Sequence, residues 1–534
     1  MTTAGGDGSL VSRLNARFLG WVGAFWVLAI GGARVAAEDQ PRWYAFAHEH
    51  VLGTSLELTL AAKSALAAEA GETAALAEID RLAAILSSYD ATSEFSRWQA
   101  TREVDVAVSI ELFEVLALFD TWRERTGGAL DAAAEVAGRL WKTAGTRQVL
   151  PTADEIAQAV AVARQRHWRL DAQRRTARHL SGAPLVLNSF TKSYIIERAV
   201  GRALAAGELE TVVMNLGGDI VVRGAHAVRL AVADPEAEAE NDLPLTHVGV
   251  SDRAVATSGG YRRGVDIRGH WYSHLVDPRT GWPVDHVRSA TVVAARATDA
   301  GALATALAVL PAEEGLLLAA SVPGAECLIV VSDGRRLTTA GWRGFETAAA
   351  PPRSDWIHAA VASADRGAVG VEPAAEGRWD PAMEAIIALE IASVGGGRSR
   401  KPFVAIWIED RERFPVRTLA LWYHGARWLP DLRAWNHADQ LRAMAEGTQV
   451  VDAVASATRG PGKYTVKWDG KDTTGKLVAA GHYTVAIEVA REHGTHQILR
   501  QEIVFAGEPQ HFDWPANPEL AGASLDYGRK RATR

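Results

Sequence analysis

The chain reads as two folded parts in series: an α+β domain with antiparallel sheets, then an all-β sandwich of Ig-like type. Three observations predict this. At 534 residues the chain exceeds what one ordinary core accommodates. Helical and strand periodicities alternate up to about residue 348, whereas beyond residue 380 the alternation is almost entirely of period two. Between them, residues 349–380 are enriched in Pro, Gly and Ala and read as a linker. The expected division is therefore a leader over 1–37, a first domain over 38–348, the linker, and a second domain over 381–534.

The leader is predicted from charge and size. Arg13 and Arg17 precede an apolar stretch from Phe18 to Ile30, and small residues at Val35 and Ala37 suit cleavage before Glu38. The apolar run is shorter than the roughly 20 residues a membrane span needs. A cleaved signal peptide and a periplasmic location follow, with a retained membrane anchor as the competing reading. Cys327 is the single cysteine, so an internal disulfide is excluded, and no Cys/His zinc spacing is present. A formal net charge of -7 argues against nucleic acid as the main partner.

In the first domain, Leu76, Ile79, Leu82, Ala83 and Leu86 recur at helical spacing, as do Leu112, Val115, Leu116, Phe119 and Trp122. Gly127-Gly128 follow as a stop signal. Short strands are read at 212–214, 220–222 and 228–232, with Gly217-Gly218-Asp219 as a turn, and a further helix at 300–310. In the second domain, Ala385 to Ser393 and Phe403 to Ile408 read as a hairpin. Lys463 to Trp468 and Tyr483 to Val489 read as a strand and its returning strand around the turn-rich Asp469 to Lys476. Trp435-Asn436-His437 reads as part of a loop.

Chemistry concentrates in Thr257-Ser258-Gly259-Gly260-Tyr261-Arg262 and in Tyr272 to Pro283 (YSHLVDPRTGWP). These segments bring hydroxyls, a histidine, a carboxylate and an arginine into one short region. His274 is the side chain there able to take a proton from a hydroxyl near neutral pH without a large pKa shift. Asp277-Pro278 and Thr280-Gly281 are also ordinary turn chemistry, so composition alone leaves a purely structural reading open. His48-Glu49-His50 superficially resembles a metal clip, but i,i+2 side chains rarely bind a metal by themselves.

SHLVDPRTGWP resembles, nearly residue for residue, the signature of the ApbE family of flavin transferases. Other family segments appear in order: Leu52-Gly53-Thr54, Ser87 to Arg97, Gly128-Ala129-Leu130-Asp131, Asn215 to Ile220, Thr257-Ser258-Gly259 and Leu303 to Leu307. The resemblance spans about His48 to Val331. It implies Mg²⁺-dependent transfer of FMN from FAD, as substrate, to a Ser or Thr hydroxyl of an acceptor flavoprotein, with AMP leaving. Peripheral association with membrane redox proteins is a further implied partnership. By resemblance, His274 activates the acceptor hydroxyl. FAD is held by Leu52, Ala129, Leu130, Asp131, Lys192, Thr257, Ser258, Leu275 and Asp277, and the metal by Ser189, Thr305 and Asp299.

Two segments depart from the family pattern. Four residues before Thr305, where the family carries Asp, this chain has Gly301, and Asp299 is the substitute on offer. Val186 to Tyr194 (VLNSFTKSY) stands in place of Asp-Leu-Gly-Gly-Ile-Ala-Lys-Gly-Tyr. These departures keep two other readings open: an FAD pyrophosphatase with water as acceptor, and a flavin-binding adaptor without turnover. The second domain resembles the uncharacterised DUF2271 domain and the Ig-like module of flagellar hook-capping proteins, which implies an interaction module.

Overall fold

The computed structural model describes residues 41–347, apart from 238, 240, 261 and 262. It also describes residues 380–530, apart from 393–400, 424–430, 447–454, 457–458, 492–494 and 506–507. The expected leader, and the expected linker up to residue 379, lie outside the described residues, as do Tyr261 and Arg262.

The first part is built on one eight-stranded sheet. Its main elements are β1 (Arg42–Val51), β2 (Thr54–Ala62), α1 (Ala65–Leu86), α2 (Ile110–Arg125), α3 (Thr191–Ala206), β3 (Leu209–Leu216) and β4 (Asp219–Gly224). They continue with β5 (Arg253–Gly259), β6 (Val287–Ala294), α4 (Ala297–Leu307), β7 (Glu326–Val331) and β8 (Arg336–Thr338). The strands lie in the sheet in chain order, β1 to β8, and every neighbouring pair is antiparallel. Helices inserted between strands bury their apolar stripes against it. On α1, Ile79, Leu82 and Leu86 are buried, and on α2 Leu112, Val115, Leu116, Phe119 and Trp122 are. They share one core with Leu56, Leu58 and Leu60 of β2 and with Leu303 and Leu307 of α4. Serine caps set both helix starts: Ser64 Oγ accepts from Ala67 N, and Ser109 Oγ from Leu112 N. These helices and strands occupy the places the periodicity predicts.

The tight turns gather at one end of the sheet. Leu52 (φ 49°) and Gly53 (φ 78°) join β1 to β2 with both residues left-handed, the geometry of a two-residue hairpin turn. The register Leu56↔Leu216 then places the Gly217-Gly218 turn beside Thr54. A Cβ on Gly217 would overlap the Thr54 side chain, so glycine is required there for packing as well as for its φ of 62°.

The second part comprises β9 (Met383–Ile391), β10 (Phe403–Glu409), β11 (Pro415–Trp422), α5 (Arg433–Glu446), β12 (Ala455–Ser456) and β13 (Gly462–Trp468). It ends with β14 (Gly481–Ala490), β15 (His496–Phe505), β16 (Gln510–Trp514) and β17 (Leu520–Arg529). One sheet runs β13-β9-β17-β16 and the other β12-β11-β10-β14-β15. Their inward faces form a single cluster that includes Ile387, Leu389, Ile406, Trp468, Ile487 and Leu525. Strand rather than helix dominance is as the sequence predicts, but both expected hairpins are wrong. β9 and β10 belong to different sheets, and so do β13 and β14. Each connection crosses from one sheet to the other, as strands of a sandwich commonly do. The Trp435 segment is also helix, not loop, with Trp435 buried.

Candidate active site

The residues singled out by sequence fall mostly at the turn end of the large sheet. Val255 of β5 pairs with Ile220 of β4, so Thr257 and Ser258 extend past Asp219 at that end. Thr257 Oγ1 lies 2.9 Å from Thr291 Oγ1 on β6. Gly260 follows, and a Cβ on it would collide with Ser273 Oγ. That close approach ties the Thr-Ser-Gly-Gly segment to the loop carrying His274.

His274 is anchored twice on one carbonyl. Its backbone N–H donates to Arg263 O at 3.0 Å, and its ring Nδ1 lies 3.1 Å from the same oxygen. Burial by surrounding protein, with the Arg263 cation adding to it, lowers the ring's pKa below that of ordinary imidazole. Arg263 also lies in the field of Lys192 in the first turn of α3, whose pKa burial lowers while Asp219 opposes the shift. Asp219 accepts from Ser193 Oγ at 2.8 Å, and burial pushes its pKa up. His274, Arg263, Lys192, Asp219 and Ser193 thus form one connected group.

The remaining predicted residues divide clearly. Thr305 Oγ1 donates to Ser189 O at 3.0 Å, so these two meet as expected. Asp299 does not join them. It stands in the first turn of α4 in the fields of Arg296, Arg125 and Glu197, six residues and about 9 Å of helix rise before Thr305. Ala129 and Leu130 are buried, and Ala129 shares a small apolar cluster with Leu275 and Ala306. Asp131 is occupied internally: Arg123 Nε sits 2.6 Å from its carboxylate, and Ala133 N donates to it at 2.7 Å. Asp277 likewise builds its own turn. It takes two guanidinium N–H groups of Arg279 at 2.8–3.1 Å as well as the Arg279 backbone N–H, while its carbonyl accepts from Gly281 N. Both carboxylates shape loops here.

Sequence reasoning missed Arg263, Ser193 and Tyr89 as individual site residues. Tyr89 is 81% exposed, an unusual state for a large aromatic, and Asn188 Nδ2 donates to its hydroxyl at 2.5 Å. Ser88 Oγ accepts from Leu187 N in the same contact. The phenol is therefore held beside Ser189. The Ser-Ser-Tyr-Asp motif was the available signal for it; for Arg263 and Ser193 no local signal existed.

Comparison with known proteins agrees with this geometry. Residues 52–329 match the model of the ApbE family. Residues 384–521 match a family described as a predicted periplasmic protein, DUF2271. The FAD:protein FMN transferase of Treponema pallidum is 32% identical over 255 residues, covering 44% of this chain and 70% of that protein. The FAD:protein FMN transferase of Haemophilus influenzae is 26% identical over 265 residues, covering 47% and 76%. The crystal structure of the ApbE protein from Thermotoga maritima superposes with a TM-score of 0.52 at 26% identity, covering 57% of this chain and 100% of that one. Sheet, turn cluster and signature loop coincide with a family match over more than half the chain: it belongs to the ApbE family.

Proposed function

We propose that this chain transfers FMN from FAD to a serine or threonine hydroxyl of an exported or membrane-associated flavoprotein, releasing AMP. The state of His274 carries this reading. A backbone carbonyl can only accept, so the Arg263 O contact makes Nδ1 the protonated nitrogen of the neutral ring. Nε2 then holds the lone pair, and the lowered pKa keeps the ring neutral near pH 7. A neutral, oriented imidazole at the rim of a cationic site is suited to general-base work on a hydroxyl.

In the step itself, the acceptor oxygen bonds to the FMN phosphorus while the bond from that phosphorus to the AMP oxygen breaks. The hydroxyl proton passes to Nε2 of His274, and AMP leaves as its anion. Lys192 and Arg263 provide positive charge for the diphosphate, and such reactions depend chiefly on positioning and charge stabilisation. The Leu52-Gly53 turn, the Ala129-Leu130 segment, Thr257-Ser258 and the exposed Tyr89 ring frame the flavin side.

The magnesium ion implied by the family resemblance would further neutralise the diphosphate only where oxygen ligands held it. Thr305 Oγ1 and Ser189 O are bonded to each other, α4 offers no carboxylate beside them, and Asp299 is elsewhere on the helix. The donor set does not fit a carboxylate-anchored magnesium site.

Export through a signal peptide over 1–37 to the periplasm belongs to the same reading. The DUF2271 match supports it. Among the described residues, no helix is long and apolar enough to cross a membrane.

The test is to incubate the protein with FAD and a candidate acceptor and to follow AMP, free FMN and acceptor mass together. FMN gained by the acceptor in step with AMP is expected. Free FMN without acceptor labelling would replace this reading by FAD hydrolysis, and bound, unreacted FAD would replace it by an adaptor.

A further inference from the structure

The α3 helix starts at Thr191 with Phe190 in the N-cap position and no side chain capping it. The first amides of a helix lack partners within it, and the positive end of the helix dipole favours an anion there. Two side-chain observations give this helix start a direction. Thr191 is 7% exposed, yet its Oγ1 has no hydrogen-bond partner, and a buried polar atom left that way marks a place for an absent group. Lys192 follows in the same turn, half-buried, in the shared field of Arg263 and Asp219.

The facing wall explains why no carboxylate stands here on α4. Gly301 is one turn before Thr305. A Cβ at 301 would overlap Ser193 Oγ and would lie 3.1 Å from Ser193 Cβ and 3.3 Å from Phe190 Cβ. Ser193 is 1% exposed and held by its bond to Asp219 Oδ2, so rotating it away breaks that bond inside the protein. Serine at 193 and glycine at 301 are a matched pair: the hydroxyl fills the space through which a residue at 301 would reach the site.

We propose that this chain receives the FAD diphosphate on the uncapped start of α3, through Lys192 and the Thr191 hydroxyl, without a carboxylate-anchored divalent cation. This rests on the FAD reading above and deepens it. The positive charge is built into the protein by Lys192, Arg263 and the helix start. Thr191, the one unpartnered hydroxyl in that turn, donates to a phosphate oxygen.

FAD affinity, measured by flavin fluorescence and calorimetry in EDTA and in magnesium, tests the proposal. Wild type is expected to bind within about threefold in the two buffers, a difference under 1 kcal/mol. Thr191→Val, close in shape, should weaken binding by about ten- to a hundredfold in both buffers, the worth of one hydrogen bond to a charged group. Ser193→Gly combined with Gly301→Asp should instead acquire magnesium dependence of about tenfold or more, by opening the space and supplying a hard oxygen ligand. Thermal melting of each variant establishes that it is folded. A tenfold loss of wild-type affinity in EDTA would overturn the proposal, as would wild-type affinity in Thr191→Val. Failure of the underlying FAD reading looks different, since wild type would then bind FAD in neither buffer.

Discussion

The buried carboxylates of the C-terminal sandwich and the polar groups around the candidate site are handled in opposite ways. In the C-terminal sandwich each described buried carboxylate is matched within its own fold. Glu488, fully buried on β14, accepts from the N–H groups of Ala434 and Trp435 at the start of α5, at 3.0 and 2.7 Å, and pairs with His496. Glu409 takes Trp407 Nε1 at 2.9 Å and lies beside Arg500, while Glu519 takes Arg491 at 2.7 Å and Asp439 takes Arg442 at 2.8 Å. Around the starts of α3 and the His274 loop, Thr191 has no partner and His274 is tied through one ring nitrogen. The lesson is that a charge satisfied from within is part of the scaffold. A polar group that the fold positions but does not satisfy is where a ligand belongs.

The largest expected effect tests the open side of this comparison. His274→Ala should cut FMN transfer by about 10²–10⁴-fold with FAD affinity nearly unchanged, the span of lost general-base catalysis. Because the base is the neutral ring and its pKa is lowered, the acid limb of the wild-type rate profile should fall below pH 6.5. Flavin fluorescence on the acceptor in a denaturing gel gives both readouts. Unchanged transfer in the variant would remove His274 from the chemistry.

His167 sharpens the comparison, because it is a closed group inside the N-terminal part. Its ring bridges Ser181 Oγ at 2.7 Å and Ala163 O at 3.2 Å, and burial lowers its pKa to about 4. Above pH 6.5 the ring is neutral in both folded and unfolded chains, and the fold keeps its full stability. As pH falls from 6.5 towards 4 the unfolded chain takes up the proton first, and stability drops by about 3 kcal/mol in all. Denaturant midpoints at pH 7 and pH 4.5 measure this. His167→Gln, which retains a donor and an acceptor, should flatten the decline.

The smallest of the three effects concerns the sandwich. Glu488→Gln keeps the shape but removes the charge from bonds to the α5 start and to His496, and should cost about 2 kcal/mol. Amide exchange at Ala434 and Trp435 should rise with it, and thermal melting gives the global value. No change in either would mean that α5 is held by Trp435 packing instead, and that the closed charges do less than the comparison claims.

Much of the site was legible as local strings, and its errors follow one pattern. The signature loop, the Thr-Ser-Gly-Gly strand end and the meeting of Thr305 with Ser189 were all readable. Asp131 and Asp277 were expected to contact FAD by resemblance to the family alone. In the fold both accept from groups close by in sequence, backbone N–H groups and arginines two to eight residues away. Asp299 lies apart from Thr305 because six positions along a helix is about 9 Å of rise and turns the two residues to different faces. In the second part, period-two alternation identified strands but not their sheets. An inward face looks the same whichever sheet carries it, so β9 and β10 were paired wrongly. Helix α5 was missed because part of what fixes its start, Glu488, lies over 50 residues away in sequence.

By itself, the sequence determined the α+β and β architecture, the family signature and the identity of the candidate base. These depend on side-chain period and short-range turn chemistry, which the chain carries locally. Tertiary structure alone decided which polar groups remain unsatisfied. Ser193 blocks the place opposite Gly301 only because α3 and α4 pack side by side, and Arg263 orients His274 only because the loop folds back on itself. A pattern of residue types sets what each group is able to bond; the packing of distant segments sets whether a partner is already there.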